Sequence, residues 1–167
     1  MEVNLTLRAA TAGDLEAIMA IERAPGFERW VGHSSAEAHR AMMDDANSAY
    51  LVGEANGEVV AFAILRDLSE PHGNRYLKRV AVARPDEGIG RVFLERVVDW
   101  TFNRVGAHRF WLDCFSHNAR AQRVYEKLGF TRDGVLREAY VGADGVRRNL
   151  TMMALTRPQW VERRARR

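Results

Sequence analysis

The sequence predicts a single mixed α/β domain with the element order β-α-α-β-β-β-α-β-α-β-β. Short runs of alternating apolar and polar residues are interspersed with segments of helical spacing. Asn56-Gly57 joins two of the strand-like runs and is a strong hairpin signal. Gly88 and Gly90 follow a later run and open a helical segment. A chain of 167 residues with 47% hydrophobic and 28% charged residues has the size and composition of one folded domain.

Four helices are predicted from helical spacing and from the residues at their ends. Thr11 with Asp14, and Ser34 with Glu37, have the spacing of capping boxes. Asn118 is a candidate N-cap for the last helix. The predicted helices run from residue 11 to 23, from 34 to about 45, from the turn at 84–91 to 105, and from 118 to 128.

Seven strands are predicted from alternating side chains and from the turns between them. The second and third strands share the Asn56-Gly57 turn, and the last two share a glycine-containing turn at 142–145. Pro158 is expected to end the last strand, because proline cannot donate to a ladder. The predicted strands cover residues 3–8, 49–55, 58–68, 75–82, 109–115, 131–140 and 146–156.

The composition excludes several classes of protein. Cys114 is the only cysteine, so neither an intramolecular disulfide nor a cysteine metal cluster is expected. His108 and His117 are isolated from other ligand types, so no metal is expected. No apolar run approaches the ~18–20 residues of a membrane span, and the start lacks a signal pattern. We therefore expect a soluble, cytoplasmic protein without a membrane partner.

The end of the chain is strongly basic and has two interpretations. The formal net charge is +3, and the last seven residues contain Arg163, Arg164, Arg166 and Arg167. These arginines either form a solvated tail or bind nucleic acid or another polyanion. Elsewhere charges of both signs are mixed, and no basic helix face is interleaved with aromatic residues, which favours the solvated tail. We expect residues 1–160 to form the domain and residues 161–167 a basic C-terminal tail, without nucleic acid as a partner.

The glycine turn before the third helix is a candidate anion site. The first N–H groups of a helix have no intrahelical acceptor, and the helix dipole is positive there. A dinucleotide fingerprint is excluded because its third glycine would fall at Phe93, and no Walker A sequence occurs. Asn118 and Tyr125, seven residues apart, project from nearly the same helix face about 10 Å apart. One ligand could therefore contact both side chains.

Five segments, taken together, resemble the GNAT family of N-acetyltransferases over nearly the whole chain. The resemblance implies a mixed, mostly antiparallel sheet flanked by helices, with acyl-coenzyme A in a cleft between the fourth and fifth strands. Residues 137–153 are similar to the branch that contains ribosomal-protein N-terminal acetyltransferases. The five segments are Arg79-Val80-Ala81-Val82, Gly88-Ile89-Gly90-Arg91, Leu112-Asp113, Asn118-Ala119-Arg120-Ala121 and Tyr125-Glu126-Lys127-Leu128-Gly129-Phe130.

The resemblance also implies roles for single residues. Acetyl-CoA would be the cosubstrate, and the acetyl group would pass to a primary amine by direct attack through a tetrahedral intermediate. Tyr125 would be the general acid that protonates the departing thiolate. Arg120, Arg123 or Lys127 could approach the adenosine phosphates. The set of residues that would bind acetyl-CoA is Val80, Ala81, Val82, Gly88, Ile89, Gly90, Arg91, Asn118, Arg120 and Tyr125. Members of the family often pair, so two copies are expected to associate, with Trp160 available for the contact.

Two departures from the family pattern leave questions open. Pro85, Asp86 and Glu87 stand where basic or polar residues are common, and two carboxylates beside a pyrophosphate are unfavourable. Tyr76 stands where many relatives have a glutamate, so no general base can be transferred by position. These departures leave open an inactive CoA-binding module, and the basic tail leaves open a ribosome- or nucleic-acid-associated protein.

The acceptor and the general base also remain open at the level of sequence. A protein α-amine, with a pKa of ~7.7–8.0, needs less help to lose its proton than a lysine at about 10.4, so the missing glutamate favours an α-amine or another amine of low pKa. The acceptor is then a peptide or a small molecule. Phe27 and Trp30 could wall its pocket. The candidate bases are Glu28, His33, Glu70 and His72.

Overall fold

The computed structural model describes residues 4–27 and 32–167, which form one seven-stranded sheet with helices on both faces. The strand order is β1-β2-β3-β4-β5-β7-β6, and all neighbours are antiparallel except β4 and β5. The predicted fold class is confirmed. The strands are β1 (Thr6–Ala9), β2 (Ser48–Ala55), β3 (Glu58–Arg66), β4 (Asn74–Val82), β5 (Arg109–Phe115), β6 (Thr131–Val141) and β7 (Arg147–Thr156). The helices are α1 (Leu15–Glu22), α2 (Ala36–Asp44), α3 (Ile89–Arg104), α4 (Ala119–Lys127) and α5 (Arg157–Ala165).

Local signals placed most element ends within one or two residues. Asn56 and Gly57 both have positive φ, at 52° and 79°, as a two-residue hairpin turn of this hand requires. The Asn118 side chain accepts from Ala121 N at 3.1 Å and caps α4. Ser35 rather than Ser34 caps α2, since its Oγ accepts from Ala38 N. The first strand begins at Thr6, and the predicted start at Val3 lies outside the described residues.

Two hydrophobic cores lie on the two faces of the sheet. α3, α4 and α5 cover one face, where Phe93, Phe102 and Phe110 are fully buried. α1 and α2 cover β2, β3 and β4 on the opposite face, where Ile18 and Phe62 are fully buried. Because strand side chains alternate between faces, each β4 or β5 residue belongs to either the α3 side or the α1 side.

The sheet splits between β4 and β5, at the position predicted for the cleft. These two strands pair over only three positions, from Asn74–Arg109 to Tyr76–Trp111. Beyond that point β4 stays paired with β3, and β5 stays paired with β7. At the closed end, the buried Arg75 guanidinium donates to four main-chain carbonyls, among them that of Val105 at 2.8 Å. The open end therefore forms a cleft, and Arg75 holds its closed end together.

The C-terminal segment differs from the prediction. Pro158 lies in the first turn of α5, which proline tolerates, and does not simply follow the last strand. Residues 161–165, predicted as a solvated tail, are helical. Trp160 is 7% exposed, stacks on Phe102 and donates to Asp99 Oδ1 at 2.7 Å. Trp160 is therefore buried in the core and is not available for a contact between two copies. The association of two copies stays a prediction.

Candidate active site

The outer edge of β4 presents main-chain groups to the cleft. Ala83 N donates to Val60 O at 2.8 Å, which fixes the hydrogen-bonding alternation of the β3–β4 ladder. By this alternation the N–H and C=O groups of Ala81 face β3, whereas those of Val80 and Val82 face the open side. The Ala81 side chain packs into the α1-side core, and those of Val80 and Val82 pack on the α3 side. The cleft wall is therefore a strand edge available to an extended ligand.

A β-bulge lies in the middle of this wall. Ile64 pairs with Arg79 and Leu65 pairs with Leu77, so Lys78 has no partner on β3. A bulge of this kind re-aims neighbouring side chains and increases the local twist. The bulge lies just past the closed end of the cleft and beside the cleft-facing groups of Val80.

The glycine turn carries the chain from β4 into α3. Gly88 has φ of 76° and is the N-cap of the helix, a backbone conformation that glycine adopts without strain. Ile89 is buried and anchors the first turn, while a side chain added at Gly90 would lie 3.6 Å from Val82 Cγ1. The first N–H groups of α3 follow directly on the end of β4, and their use as an anion site stays a prediction.

The charged side chains at this turn are held by one another. Asp86 forms an ion pair with Arg120 at the start of α4, so the pair spans the two sides of the cleft. Arg84 contacts Glu87 at 3.2 Å, and the exposed Arg91 contacts Glu95 at 3.3 Å. The carboxylates that departed from the family pattern thus neutralise cations of the same turn and of α4.

Tyr125 lies on the α3 side of the cleft. Its ring packs on Phe130, with centroids 5.9 Å apart. Its hydroxyl has no hydrogen-bond partner among the described residues. Burial raises the pKa of Tyr125, and the neighbouring Cys114 and Asp113 raise it further, so the phenol is protonated and able to donate at neutral pH. Asn118, seven residues earlier, uses its side-chain oxygen to cap α4.

Asp113 is a candidate site residue that was not among the predicted bases. Leu112 packs into the α3-side core, so Asp113 lies on the α1 side of β5. The Tyr76 ring stacks on Trp111 at 4.1 Å, and its hydroxyl donates to Asp113 Oδ2 at 3.1 Å. Burial raises the pKa of Asp113, although Tyr76 and Lys78 act in the opposite direction. The alternation of β5 was the signal that could have identified this carboxylate.

The predicted base candidates that the structure describes, Glu70, His33 and His72, lie in loops outside β4 and β5. Glu70 Oε2 accepts from the N–H groups of Asn74 at 2.7 Å and His72 at 3.0 Å. Desolvation acts to raise the pKa of Glu70, but these hydrogen bonds outweigh it and lower the pKa, so Glu70 caps its own loop. The side chains of His33 and His72 are exposed. Glu28 and Trp30 lie outside the described residues, and Phe27 is half-buried.

Residues 4–27 and 32–167 contain neither a metal-binding cluster nor a membrane-spanning helix. No group of three or more His, Cys, Asp or Glu side chains is arranged to hold a metal ion in these ranges. No helix within the same ranges is both long and apolar enough to cross a membrane.

Comparison with known proteins decides the family. The model of the acetyltransferase (GNAT) family matches residues 15–130, more than half of the chain. The chain belongs to the GNAT acetyltransferase family. This confirms the resemblance seen in the five sequence segments and the assignment as an N-acetyltransferase.

The names of two relatives of this GNAT chain state two kinds of amine substrate. It is 36% identical to the [ribosomal protein bS18]-alanine N-acetyltransferase of Escherichia coli K12 over 103 residues, covering 60% of this chain and 66% of the relative. It is 23% identical to the spermidine N(1)-acetyltransferase of Vibrio cholerae over 149 residues, covering 84% and 86%. The crystal structure of a spermidine N-acetyltransferase from Vibrio cholerae, in complex with CoA and spermine, superposes with a TM-score of 0.84 at 20% identity, covering 96% of this GNAT chain and 99% of that chain.

Proposed function

We propose that this protein transfers an acetyl group from acetyl-CoA to a primary amine, with Asp113 as the general base and Tyr125 as the general acid. The observation that supports the proposal best is the position of these two groups on opposite faces of the split between β4 and β5. Tyr125 belongs to the α3 side, and Asp113 belongs to the α1 side. A cleft with a proton acceptor on one face and a proton donor on the other suits acyl transfer to an amine.

The residues along the cleft fit acetyl-CoA, which supplies the activated thioester. The outward N–H and C=O groups of Val80 and Val82 would pair with the pantetheine arm as an added strand does. The N–H groups from Gly88 to Arg91 would hold the pyrophosphate at the N-terminus of α3. Arg120 would reach the adenosine phosphates once a phosphate competes with Asp86 for its guanidinium.

The acid and base roles follow from the environments of the two groups. Asp113 accepts one hydrogen bond from Tyr76 and keeps its other oxygen for the acceptor amine. Its raised pKa makes it a stronger base than a solvated aspartate, though still a weak one beside an amine. Tyr125 keeps its proton at neutral pH and can deliver it to the departing sulfur. The N–H of Val80 or Val82 is available to the developing oxyanion.

The acceptor that suits this base best is an amine of low pKa. A protein α-amine at ~7.7–8.0 is neutral in a useful fraction near pH 8, whereas a lysine side-chain amine at about 10.4 is not. The relative from Escherichia coli, named for acetylation of an alanine in a ribosomal protein, supports the same choice. We also propose a cytoplasmic location, which the single cysteine supports.

The test is release of free CoA thiol from acetyl-CoA in the presence of peptides with a free α-amine and, separately, of spermidine. We expect turnover with the peptides and a loss of about 10²–10⁴-fold in kcat on Asp113→Asn. Asp144→Asn, in the exposed turn between β6 and β7, is the matched control and should leave turnover unchanged. Thermal stabilisation by acetyl-CoA without thiol release from any amine would instead indicate an inactive CoA-binding module.

The nucleic-acid alternative is weakened by the arginines of α5 and the residues after it. Arg164 contacts Asp99 at 3.4 Å, and Arg167 contacts Glu95 at 3.6 Å. Arg166 contacts Glu162 within the same segment at 2.6 Å. These cations are largely paired and do not form the free basic patch that phosphate binding needs.

A further inference from the structure

A buried polar network lies beneath the acceptor side of the cleft, and the reaction described above does not use it. Its centre is the carboxylate of Glu22, the last residue of α1, whose side chain is fully buried. Oε1 accepts from His39 Nε2 at 2.8 Å and from the main-chain N–H of Ser34 at 3.3 Å. The same oxygen accepts from Arg23 at 3.0 Å, and Oε2 accepts from Arg79 at 3.1 Å.

The histidine of this network is fixed by a second partner. His39 is fully buried, and its Nδ1 lies 2.8 Å from the Tyr50 hydroxyl. Burial raises the pKa of Tyr50 to about 12, so the phenol retains its proton and can donate to Nδ1. Nε2 then bears the hydrogen that faces the Glu22 carboxylate. This orientation of the ring places one nitrogen against each neighbour.

Arg79 connects this network to the cleft. It lies on β4 between the bulge residue Lys78 and Val80, whose N–H and C=O groups face the open side. Its guanidinium is nearly buried and donates to Ser34 Oγ at 3.2 Å as well as to Glu22. Gly32 lies directly over it, since an added Cβ would be 3.2 Å from Arg79 Nη2. The segment from Gly32 to Ser34 is therefore attached to the splayed half of β4.

The charges in this network are costly to bury, so packing alone does not account for them. A buried ion pair repays its desolvation only with good geometry and further hydrogen bonds, and apolar residues of similar volume often serve stability better. Such networks are retained in some proteins because they enforce one conformation. Here the element held in one conformation is the chain segment beside β4, on the same face as Asp113.

We propose that Glu22 and Arg79 are positioning residues that hold the segment Gly32–Ser34 against β4 and thereby form the wall on which the acceptor amine is oriented. The inference rests on the proposed acetyl transfer. The acetyl-CoA side of the cleft is formed by α3, α4 and the outward main-chain groups of β4, whereas the Ser34 hydroxyl accepts from the guanidinium of Arg79 on the α1 side. Loosening this segment should therefore weaken the use of the acceptor while leaving acetyl-CoA binding intact.

The decisive comparison is between two neighbouring serines. Ser34→Ala removes the hydroxyl that Arg79 contacts, whereas Ser35→Ala removes the N-cap of α2, whose Oγ accepts from Ala38 N at 3.1 Å. We expect Ser34→Ala to raise the KM for the amine about 3- to 10-fold, with the Kd for acetyl-CoA within about 2-fold of wild type, as the net loss of one ordinary hydrogen bond implies. Ser35→Ala should lower the thermal midpoint by about 2–4 °C, the usual effect of a lost cap, and leave both constants unchanged.

Arg79 itself gives the stronger perturbation and a rescue. Arg79→Met should raise the KM for the amine further than Ser34→Ala does. It should also increase hydrogen exchange at the Ser34 amide, which donates a hydrogen bond to Glu22 in the wild-type protein. Arg79→Lys keeps a donor toward Glu22 and should return the KM for the amine most of the way to the wild-type value. An unchanged KM for the amine in folded Ser34→Ala and Arg79→Met, with thiol release intact, would overturn this inference alone. Absence of thiol release by the wild-type protein with every amine would overturn the proposed function instead.

Discussion

Replacing Tyr125 with phenylalanine tests the acid half of the mechanism with little disturbance of the fold. The Tyr125 hydroxyl has no hydrogen-bond partner among the described residues, so its removal leaves no protein group unsatisfied. The ring, which packs on Phe130, is retained. We therefore expect the free energy of unfolding to change by no more than about 0.5 kcal/mol.

The kinetic effect should be far larger than the effect on stability. A positioned proton donor contributes about 10²–10⁴-fold to rate, which corresponds to ~2.7–5.4 kcal/mol of transition-state stabilisation. Because the raised pKa of Tyr125 keeps the phenol protonated across the neutral range, wild type should show no loss of this donor below pH 9. The difference between a silent effect on stability and a loss of at least a hundredfold in kcat is what the proposed role requires.

The assay is thiol release under saturating acetyl-CoA, with a thermal midpoint measured on the same preparation. Tyr140→Phe is the matched control, since Tyr140 is 42% exposed on β6 and makes a ring contact with Phe115. Its kcat should equal that of wild type. If Tyr125→Phe turns over within threefold of wild type, protonation of the thiolate by this phenol is refuted, and the thiolate leaves with a proton from water or without one.

Three further predictions concern the base, the cofactor turn and the core. Burial raises the pKa of Asp113, so kcat, measured at saturating amine to remove the ionisation of the free acceptor, should fall with decreasing pH around a midpoint above the usual ~3.9 of aspartate, because only the carboxylate is a base; a kcat profile of Asp113→Asn that retains this limb would contradict the assignment. Asp86→Asn frees Arg120 for a phosphate and should tighten the Kd for acetyl-CoA about 2- to 5-fold by calorimetry, within the range of exposed ion pairs; weaker binding would indicate that the pair aids the site. Gly53→Ala would bring a Cβ within 2.8 Å of the buried Phe93 ring and should lower the thermal midpoint by about 2–12 °C; an unchanged midpoint would mean that the ring can move.

Much of the fold was predictable because its signals are local. The Asn56-Gly57 turn needs only two residues of positive φ, and the Asn118 cap needs only the amide three residues later. The helix α5 was missed because the contact that anchors it is not local. Its capping box, Thr156 with Gln159, precedes a polar stretch whose one strong anchor is Trp160, and that residue becomes buried only against Phe102 of α3.

The part of the candidate site that the GNAT segments cover was predicted, and the part on the α1 side was not. Those segments include Gly88, Tyr125 and the β4 edge, whose proposed contacts with acetyl-CoA stay predictions. The general base was sought in loops, while Asp113 stood in one of those same segments. Its character depends on Tyr76, 37 residues away, and on burial that no run of neighbouring residues reveals.

The sequence by itself determined the class of sheet, the Asn56-Gly57 hairpin, the Asn118 cap and the family, because the signals for each are short stretches of the chain. The tertiary structure decided which charges meet. It pairs Asp86 with Arg120 across the cleft, and Glu22 with Arg79 over a separation of 57 residues. Whether a carboxylate can accept a proton, hold a neighbouring segment or neutralise a cation depends on its burial and its partners. Both are set only when the strands and helices pack together.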